Sequence, residues 1–483
     1  MLSSETHPES DLILALDVGT LSVRAIVYDH AGHQIASSAE SIRLNRINDV
    51  EIEQDPDEIL NNLVKAMEQV LACSEIEGRQ ISVAGLSSQR SSVVCWNRVT
   101  GRSLSPVISW QDRRAFAYLE PLEKQAHKIK EISGLILSPH YGASKLRWLL
   151  DNSPSLSQEK DLIFGPLAAF IVTNLVEDHP RIVDHVNASR TQLMDLHKRN
   201  WSKKLLSDFE LSADLLPECR PTQFRYGRLK NSQITLEAVN GDQNAAIHGA
   251  GQLEEGTFIV NIGTGAFVLL PTGDTPIHHP RLLASVANSD SDTATYLLEG
   301  TVNGAGAAIQ WAAEEWDQPD LSQNLEQWLK EVETPPIFVN TIGGLGSPMW
   351  EEGPKPTFIP TLNGDGTTRE GTTAEKAVAI VESIIFLIHI NLDAITSTGQ
   401  DVKRIRISGG LSSVDGLCQM LADMSQRLVI RSEIRQSTSR GIAWLAGKPA
   451  ADWSDLEDDY FLPKQNRPLQ NRYRTFCQAL GWN

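Results

Sequence analysis

The apolar residues of this chain fall into short dense runs separated by polar turns, and one such arrangement occurs twice. Residues 12–28 (LILALDVGTLSVRAIVY) and 256–270 (GTFIVNIGTGAFVLL) each carry an apolar strand into a small Gly-Thr turn and a second apolar strand out of it. This pattern predicts one β-hairpin in each half of the chain. After the first hairpin, residues 53–71 (EQDPDEILNNLVKAMEQVL) place Leu60, Leu63, Val64, Met67, Val70 and Leu71 at helical spacing. Asp55 as cap, Pro56 in the first turn and the acidic Asp57 and Glu58 mark where that helix starts. Strands are predicted at 81–86 and 93–97, and helices at 144–152 and 161–175.

The second half repeats the plan. Its hairpin is followed by a strand at 296–300, a small-residue turn (NGAGAAIQW, 303–311) and a long helix over 374–397. A strand at 404–408 then meets Gly409-Gly410, and a helix carrying Leu417, Met420, Leu421 and Met424 follows. A strand at 428–432 and a short helix at 441–447 complete it. Alternating strands and helices indicate an α/β fold whose polar loops at strand ends build the site. The Gly-rich stretch 239–256 marks a boundary, giving domains over 1–250 and 251–448. The tail, 449–483, is acidic and then aromatic, and is expected to wrap back on the body.

Composition narrows the function classes. The chain has 483 residues, too many for one compact core. Its formal charge of −18 opposes nonspecific binding to nucleic acid or anionic membrane. Five scattered cysteines without CxxC spacing argue against a disulfide framework or structural zinc and for a reducing, cytoplasmic setting. The polar N-terminus lacks the pattern of a signal peptide, and no uninterrupted apolar run reaches the ~18 residues needed to span a bilayer.

The two Gly-Thr turns carry the chemistry. Glycines there let the backbone approach a ligand closely, and the hydroxyls add donors, so two such turns can close on the phosphates of a nucleotide from opposite sides. Asp17, at the end of the first strand, suits a magnesium anchor, usually through water; alone it reads equally as a residue that closes its turn. Asp242, at the junction of the halves, suits a base that takes the proton of an acceptor hydroxyl. It suits an Asx-turn or helix cap as well. Ser88-Gln89-Arg90-Ser91 and Trp110-Gln111-Asp112 bring a cation, amides and an indole to adjacent strand ends. Arg90 is the stronger functional candidate, whereas Trp110 alone reads as core. Gly304, Gly306, Gln310 and the Gly409-Gly410 pair could face the same nucleotide. There is no P-loop, HExxH or paired Cys/His set.

The ordered series DVGTLSVR, QR, WQDRR, KLRWLLDN, VNASRT, GDQ, GTG, GAAIQW and SGG resembles the FGGY family of carbohydrate kinases over about residues 11–448, nearest to its glycerol kinase branch. The resemblance implies two actin-like, RNase H-type domains with an ATP site in the cleft between them. It implies transfer of the ATP γ-phosphate to a hydroxyl of a small sugar or polyol, with Mg2+ as the metal. It makes Asp242 the catalytic base and Asp17 the magnesium-associated acid. Thr20, Ser22 and Arg24 match the first phosphate loop, Thr264 the second, and Gly306, Gln310 and Gly410 nucleotide contacts. Arg90, Trp110, Asp242 and Gln243 match positions that hold glycerol, and Phe267 packs nearby. A homodimer or homotetramer is the expected assembly.

The departures from the glycerol kinase pattern concentrate where the acceptor is chosen. Ser91 stands where Glu is usual and His140 where Tyr is usual, with Tyr141 adjacent. Leu21 replaces a hydroxyl residue, and Val414 and Asp415 replace an Asn near the adenine. Loss of a charged acceptor at 91 weakens a glycerol site, since hydrogen bonds to charged groups contribute ~1.5–3 kcal/mol. The expectation is therefore an active kinase for a sugar or polyol other than plain glycerol. The alternatives are glycerol kinase proper, an actin-like or chaperone-type nucleotide switch, and a nucleotide hydrolase.

Overall fold

The computed structural model describes residues 12–362, 368–432, 436–449, 453 and 457–482; the polar N-terminal segment lies outside the described residues. Two large sheets organise it. The first has six strands in the order 223–228, 235–241, 81–88, 12–18, 22–28 and 34–41. The second has seven, in the order 283–289, 294–302, 266–273, 257–262, 404–408, 428–432 and 458–461. The same unit sits at the centre of each: an antiparallel hairpin whose first strand pairs in parallel with a strand far along the chain. In the first sheet Leu12–Val18 pairs with Ser22–Tyr28 and with Ile81–Ser88. In the second, Thr257–Ile262 pairs with Ala266–Gly273 and with Arg404–Ser408. Both predicted hairpins are thus formed, and the fold is the mixed α/β, two-domain architecture that was expected.

The first strand, LILALDV, is buried on both faces, which is why it reads as an apolar run rather than an alternation. Helix Pro56–Leu71 covers one face, and the Asp55 side chain caps it through the N–H groups of Asp57 and Glu58. Helix Thr373–Thr396 is long and apolar enough to cross a membrane, but it is the core helix of the second domain, with Ala377–Leu387 wholly buried. A capping box between Thr372 and Glu375 starts it.

The segment 161–175 departs from the predicted single helix. Leu162–Pro166 is a strand paired antiparallel with Val93–Asn97, and only Leu167–Leu175 is helical. Periodicity cannot separate a buried strand from a buried helix in a continuous apolar run, and the waiting edge of the 93–97 strand decides it.

Helix Ser437–Gly447 lies within the sequence span expected for the second domain, yet it packs on the first sheet. Ile442, Ala443, Leu445 and Ala446 join Ile13, Ala15, Val83, Ala238 and Ala245 in one buried cluster. The tail divides: Trp453 packs on Tyr28 of the first domain, its indole N–H donating to the His30 carbonyl at 2.7 Å, and residues 458–480 lie against the second domain. Its strand Asp458–Phe461 extends the sheet beside Leu428–Ser432, and helix Arg467–Leu480 sets Tyr473 and Phe476 against Phe386.

Candidate active site

In both sheets the first strand of the hairpin ends in register with its parallel neighbour, at the end where open α/β sheets commonly present their sites. The register of the two halves makes the ends equivalent. Asp17 lies opposite Ser87 across the parallel pair and accepts a 2.8 Å hydrogen bond from its hydroxyl. Asn261 lies opposite Ser408 in the same way, its amide donating to the Ser408 hydroxyl at 2.9 Å. The first domain therefore presents a carboxylate where the second presents a neutral amide. The Asp17 side chain does not close its turn, which is held by Gly19 N–H donating to the Ser22 carbonyl.

Burial raises the Asp17 pKa to about 6, and the nearby Asp242 carboxylate adds to the rise; Ser87 and Arg24 offset only part of it. Asp242 opens the short helix Asp242–Ala246, directly after the strand Thr235–Gly241. Its pKa is raised as well, by desolvation, with Arg90 pulling the other way. One Asp242 oxygen accepts from the N–H of the adjacent Gln243 at 2.8 Å, which is neither the Asx-turn bond two residues on nor a helix cap, since Gly241 holds the N-cap position; the Asp242 side chain is 31% exposed.

Arg90 follows the strand Ile81–Ser88 and reaches toward this helix. Its guanidinium donates to Gln243 Oε1 and, at 2.7 Å, to Asn244 Oδ1, while its Nε stands 3.9 Å from Asp242. Gly241 is packed against the Arg90 side chain. Trp110 is half-exposed rather than core, and its indole N–H donates to Thr20 Oγ1 at 3.1 Å, joining the first Gly-Thr turn to the loop after the strand Val107–Ile108. His140 is exposed beside it, with Nδ1 3.1 Å from the Trp110 carbonyl. Ser91 takes a left-handed backbone conformation, φ 65°, at the head of the loop. Phe267 faces a separate apolar seam with Ile247, Leu269 and Leu297.

On the opposite side, Thr264 accepts from the Ala307 N–H at 2.9 Å through its carbonyl. Gly306 donates its own N–H to the Gly263 carbonyl at 3.0 Å, and a Cβ there would stand 2.5 Å from that oxygen. Gly306 therefore shapes the second Gly-Thr turn. Gln310, one helical turn on, is exposed and bonded to Glu314. A side chain at Gly410 would meet open space, whereas Gly409, at φ 96°, is required by its own backbone and by the Ile262 carbonyl against it. Ser22 and Arg24 lie on the outgoing strand of the first hairpin, Arg24 directly opposite Asp17. Leu21 projects into solvent at the turn. Val414 is buried, and Asp415 pairs with Arg431 at 2.8 Å.

The family models decide the identity. The description "FGGY family of carbohydrate kinases" matches residues 12–249 by its N-terminal domain and residues 259–450 by its C-terminal domain. The chain belongs to the FGGY family of carbohydrate kinases. It is 32% identical over 462 residues to glycerol kinase of Deinococcus radiodurans, covering 93% of this chain and 91% of the relative. A crystal structure of glycerol kinase from Plasmodium falciparum with ADP superposes with a TM-score of 0.88 at 24% identity, covering 97% of both chains. Gluconate kinase from Lactobacillus acidophilus gives 0.85 at 20% identity, again over 97% of each chain. At such identities these structures share the fold. The FGGY chain is thus a kinase that phosphorylates an alcohol, and kinases of this family use ATP. A non-catalytic switch is set aside.

Several residues around the site carried no sequence assignment. Gln54 donates to the Thr20 carbonyl at 2.9 Å and accepts from Gln89 at 2.8 Å, bracing the first turn. Lys145 is fully buried and donates to the carbonyls of Ser109 (2.7 Å), His140 (2.9 Å) and Ser91 (3.4 Å). Arg190 and Glu299 form a buried ion pair beside Arg90. Their common signal was a charged or amide residue inside an otherwise buried stretch, which is costly unless it is paired.

Proposed function

We propose that this kinase moves the γ-phosphate of ATP to a hydroxyl of a small sugar or polyol larger than glycerol, with Asp242 as general base. The observation that carries the reading is Asp242 itself: a partly exposed carboxylate of raised pKa, beside Arg90 and Gln243 and near Asp17 at the first Gly-Thr turn. A base must be ionised at working pH yet able to hold a proton, and a raised carboxylate pKa serves both. In the step, the acceptor oxygen bonds to the γ-phosphorus as its proton passes to Asp242. The bond from that phosphorus to the β-phosphate oxygen breaks, and ADP leaves. Arg90 and Gln243 orient the acceptor. Trp110 offers its exposed face to the carbon side of the substrate.

A small, hard divalent cation fits Asp17. Its carboxylate is held by one hydroxyl and under-compensated, and no described group of three His, Cys, Asp or Glu would complete a protein-only cage. Asp17 would hold Mg2+ jointly with phosphate oxygens and water, and the ion supplies charge neutralisation on the phosphates.

Ser91 is why a larger acceptor is favoured. The position lacks a charged acceptor, and its carbonyl is committed to Lys145. Glycerol itself is the second reading, supported by the names of relatives near 32% identity. ADP release should be measured over polyols and sugars of three to seven carbons. A larger acceptor should give the highest kcat/KM; glycerol as clear best substrate overturns the preference. Asp242→Asn should lower kcat by roughly 10²–10⁴-fold, the range for general base catalysis, with ATP binding unchanged by titration. Full transfer by that variant removes Asp242 from the role.

A further inference from the structure

Arg90 is held from both domains. Its neighbours Gln243 and Asn244 belong to the first, but the second carboxylate that faces it, Glu299, lies on the strand Ala294–Val302 of the second sheet. Glu299 is 1% exposed. Both its oxygens accept from Arg190, which follows the helix His185–Ser189 of the first domain, and one accepts from Ser285. Arg90 Nη1 stands 3.5 Å from the other oxygen. Two guanidinium groups from the first domain thus converge on one carboxylate from the second. With Asp242, the cluster has two cations and two anions. Burial alone would raise the Glu299 pKa, but Arg190 and Arg90 outweigh it and hold the group at about 2. The carboxylate stays ionised at any working pH.

We propose that Glu299 is the positioning residue of the acceptor site: it fixes Arg90 from across the domain seam, keeping the guanidinium off Asp242 and available to the acceptor. This rests on the reading of Asp242 and Arg90 given above. Arg90 stands between two carboxylates, 3.9 Å from one and 3.5 Å from the other. Remove the charge of Glu299, and Arg90 and the like-charged Arg190 are left with Asp242 as their only nearby anion. Arg90 then turns to Asp242. The base becomes a weaker proton acceptor, and the acceptor hydroxyls lose their donor. Because Glu299 and Ser285 belong to the second domain, Arg90 is correctly set only when the two domains are in register. Acceptor binding is thereby linked to the placement of the phosphate-binding half. The groups that face this cluster are Arg90, Arg190, Asp242, Tyr141 and Ser285, with Asp17 facing Asp242 from the first strand.

The test is Glu299→Gln, which keeps the shape and one acceptor oxygen but removes the charge, with Glu299→Asp and Ser285→Ala beside it. For Glu299→Gln, the acceptor KM should rise about tenfold or more while the ATP KM stays within about twofold, as expected for loss of a charge-assisted contact. The acid limb of kcat/KM should move to lower pH, because Asp242 then faces two cations without their counter-ion. Glu299→Asp should restore the limb and much of the KM; Ser285→Ala should leave the limb in place. A variant that is folded by circular dichroism and changes ATP and acceptor KM alike, with an unmoved acid limb, overturns the proposal, because that is the signature of a merely structural ion pair. If Glu299→Gln behaves as predicted while Asp242→Asn retains transfer, the base assignment fails instead. An unchanged Glu299→Gln enzyme beside an inactive Asp242→Asn enzyme sinks the positioning role alone.

Discussion

Asp17 shows how a functional residue works against stability. Its carboxyl titrates at about 6 in the fold, mainly because it is buried, against about 3.9 in an unfolded chain. Between those values the folded state binds more protons than the unfolded one. The cost of burying the ionised group is therefore complete above pH 6 and disappears below about 3.9. At 1.36 kcal/mol per pH unit it amounts to about 3 kcal/mol at neutral pH. Asp17→Asn keeps the size of the side chain and a partner for Ser87, so it should raise the Tm by several degrees at pH 7.5 and leave it almost unchanged near pH 4. Phosphoryl transfer should fall by about 10²-fold or more at pH 7.5, since the proposed metal anchor is gone. A variant with parent Tm at pH 7.5 would show that another group relieves the buried charge. Added Mg2+ should raise the Tm of the parent protein but not of the variant.

At the scale of elements, the proposed acceptor site is assembled by a helix that carries none of the residues proposed to meet the reacting groups. Helix Gly142–Asn152 buries its first turn, and Lys145 on that turn ties together the carbonyls of Ser91, Ser109 and His140. These carbonyls belong to three separate loops, and Trp110 immediately follows one of them. Burial lowers the Lys145 pKa to about 7, with Asp112 opposing the shift. Lys145→Met fills similar space without the donors and should free all three loops, raising the acceptor KM about tenfold with little change in ATP KM. Unequal effects of that kind are read directly from initial-rate kinetics; equal ones would make Lys145 a general stabiliser. The same helix shows what a sequence can and cannot reveal. Its apolar spacing predicts the element, as the cap at Asp55 predicts the helix that follows it. Neither pattern says that Lys145 points inward, because a lysine at a helix start ordinarily reads as solvated. Strand 162–166 was hidden for a related reason: its partner at 93–97 is more than sixty residues away. Asp17, Arg90 and Asp242 were legible because each sits where an apolar run stops. Glu299 was not, because it sits inside one.

Across the whole molecule, Asp242, the proposed general base, is placed by chain that comes after it. The helix Asp242–Ala246 is gripped from two sides. The Asn244 amide donates to the Val286 carbonyl at 2.7 Å, on a strand of the second sheet. Against its other side lies the helix Ser437–Gly447, which returns from the second half of the chain to pack on the first sheet. That helix is anchored by Ser439 on Tyr28 at 2.9 Å and by Arg440 on the carbonyls of Gly32, Gly249 and Trp453. The contact between the two helices is made at Gly441, where any Cβ would overlap the Ala245 carbonyl. Two elements remote in sequence thus fix one short helix, and the position of Asp242 depends on both. Gly441→Ala leaves every side chain near the cleft intact and can act only by pushing the helices apart. A displacement of order 1 Å at a catalytic group can cost about 10²-fold, and overpacking costs about 1–3 kcal/mol of stability. The variant should therefore lose at least about tenfold in kcat and a few degrees in Tm, with the ATP KM nearly unchanged because the phosphate turns lie elsewhere. A fall in Tm with full kcat would mean that the strand at 283–289 alone holds the base in place.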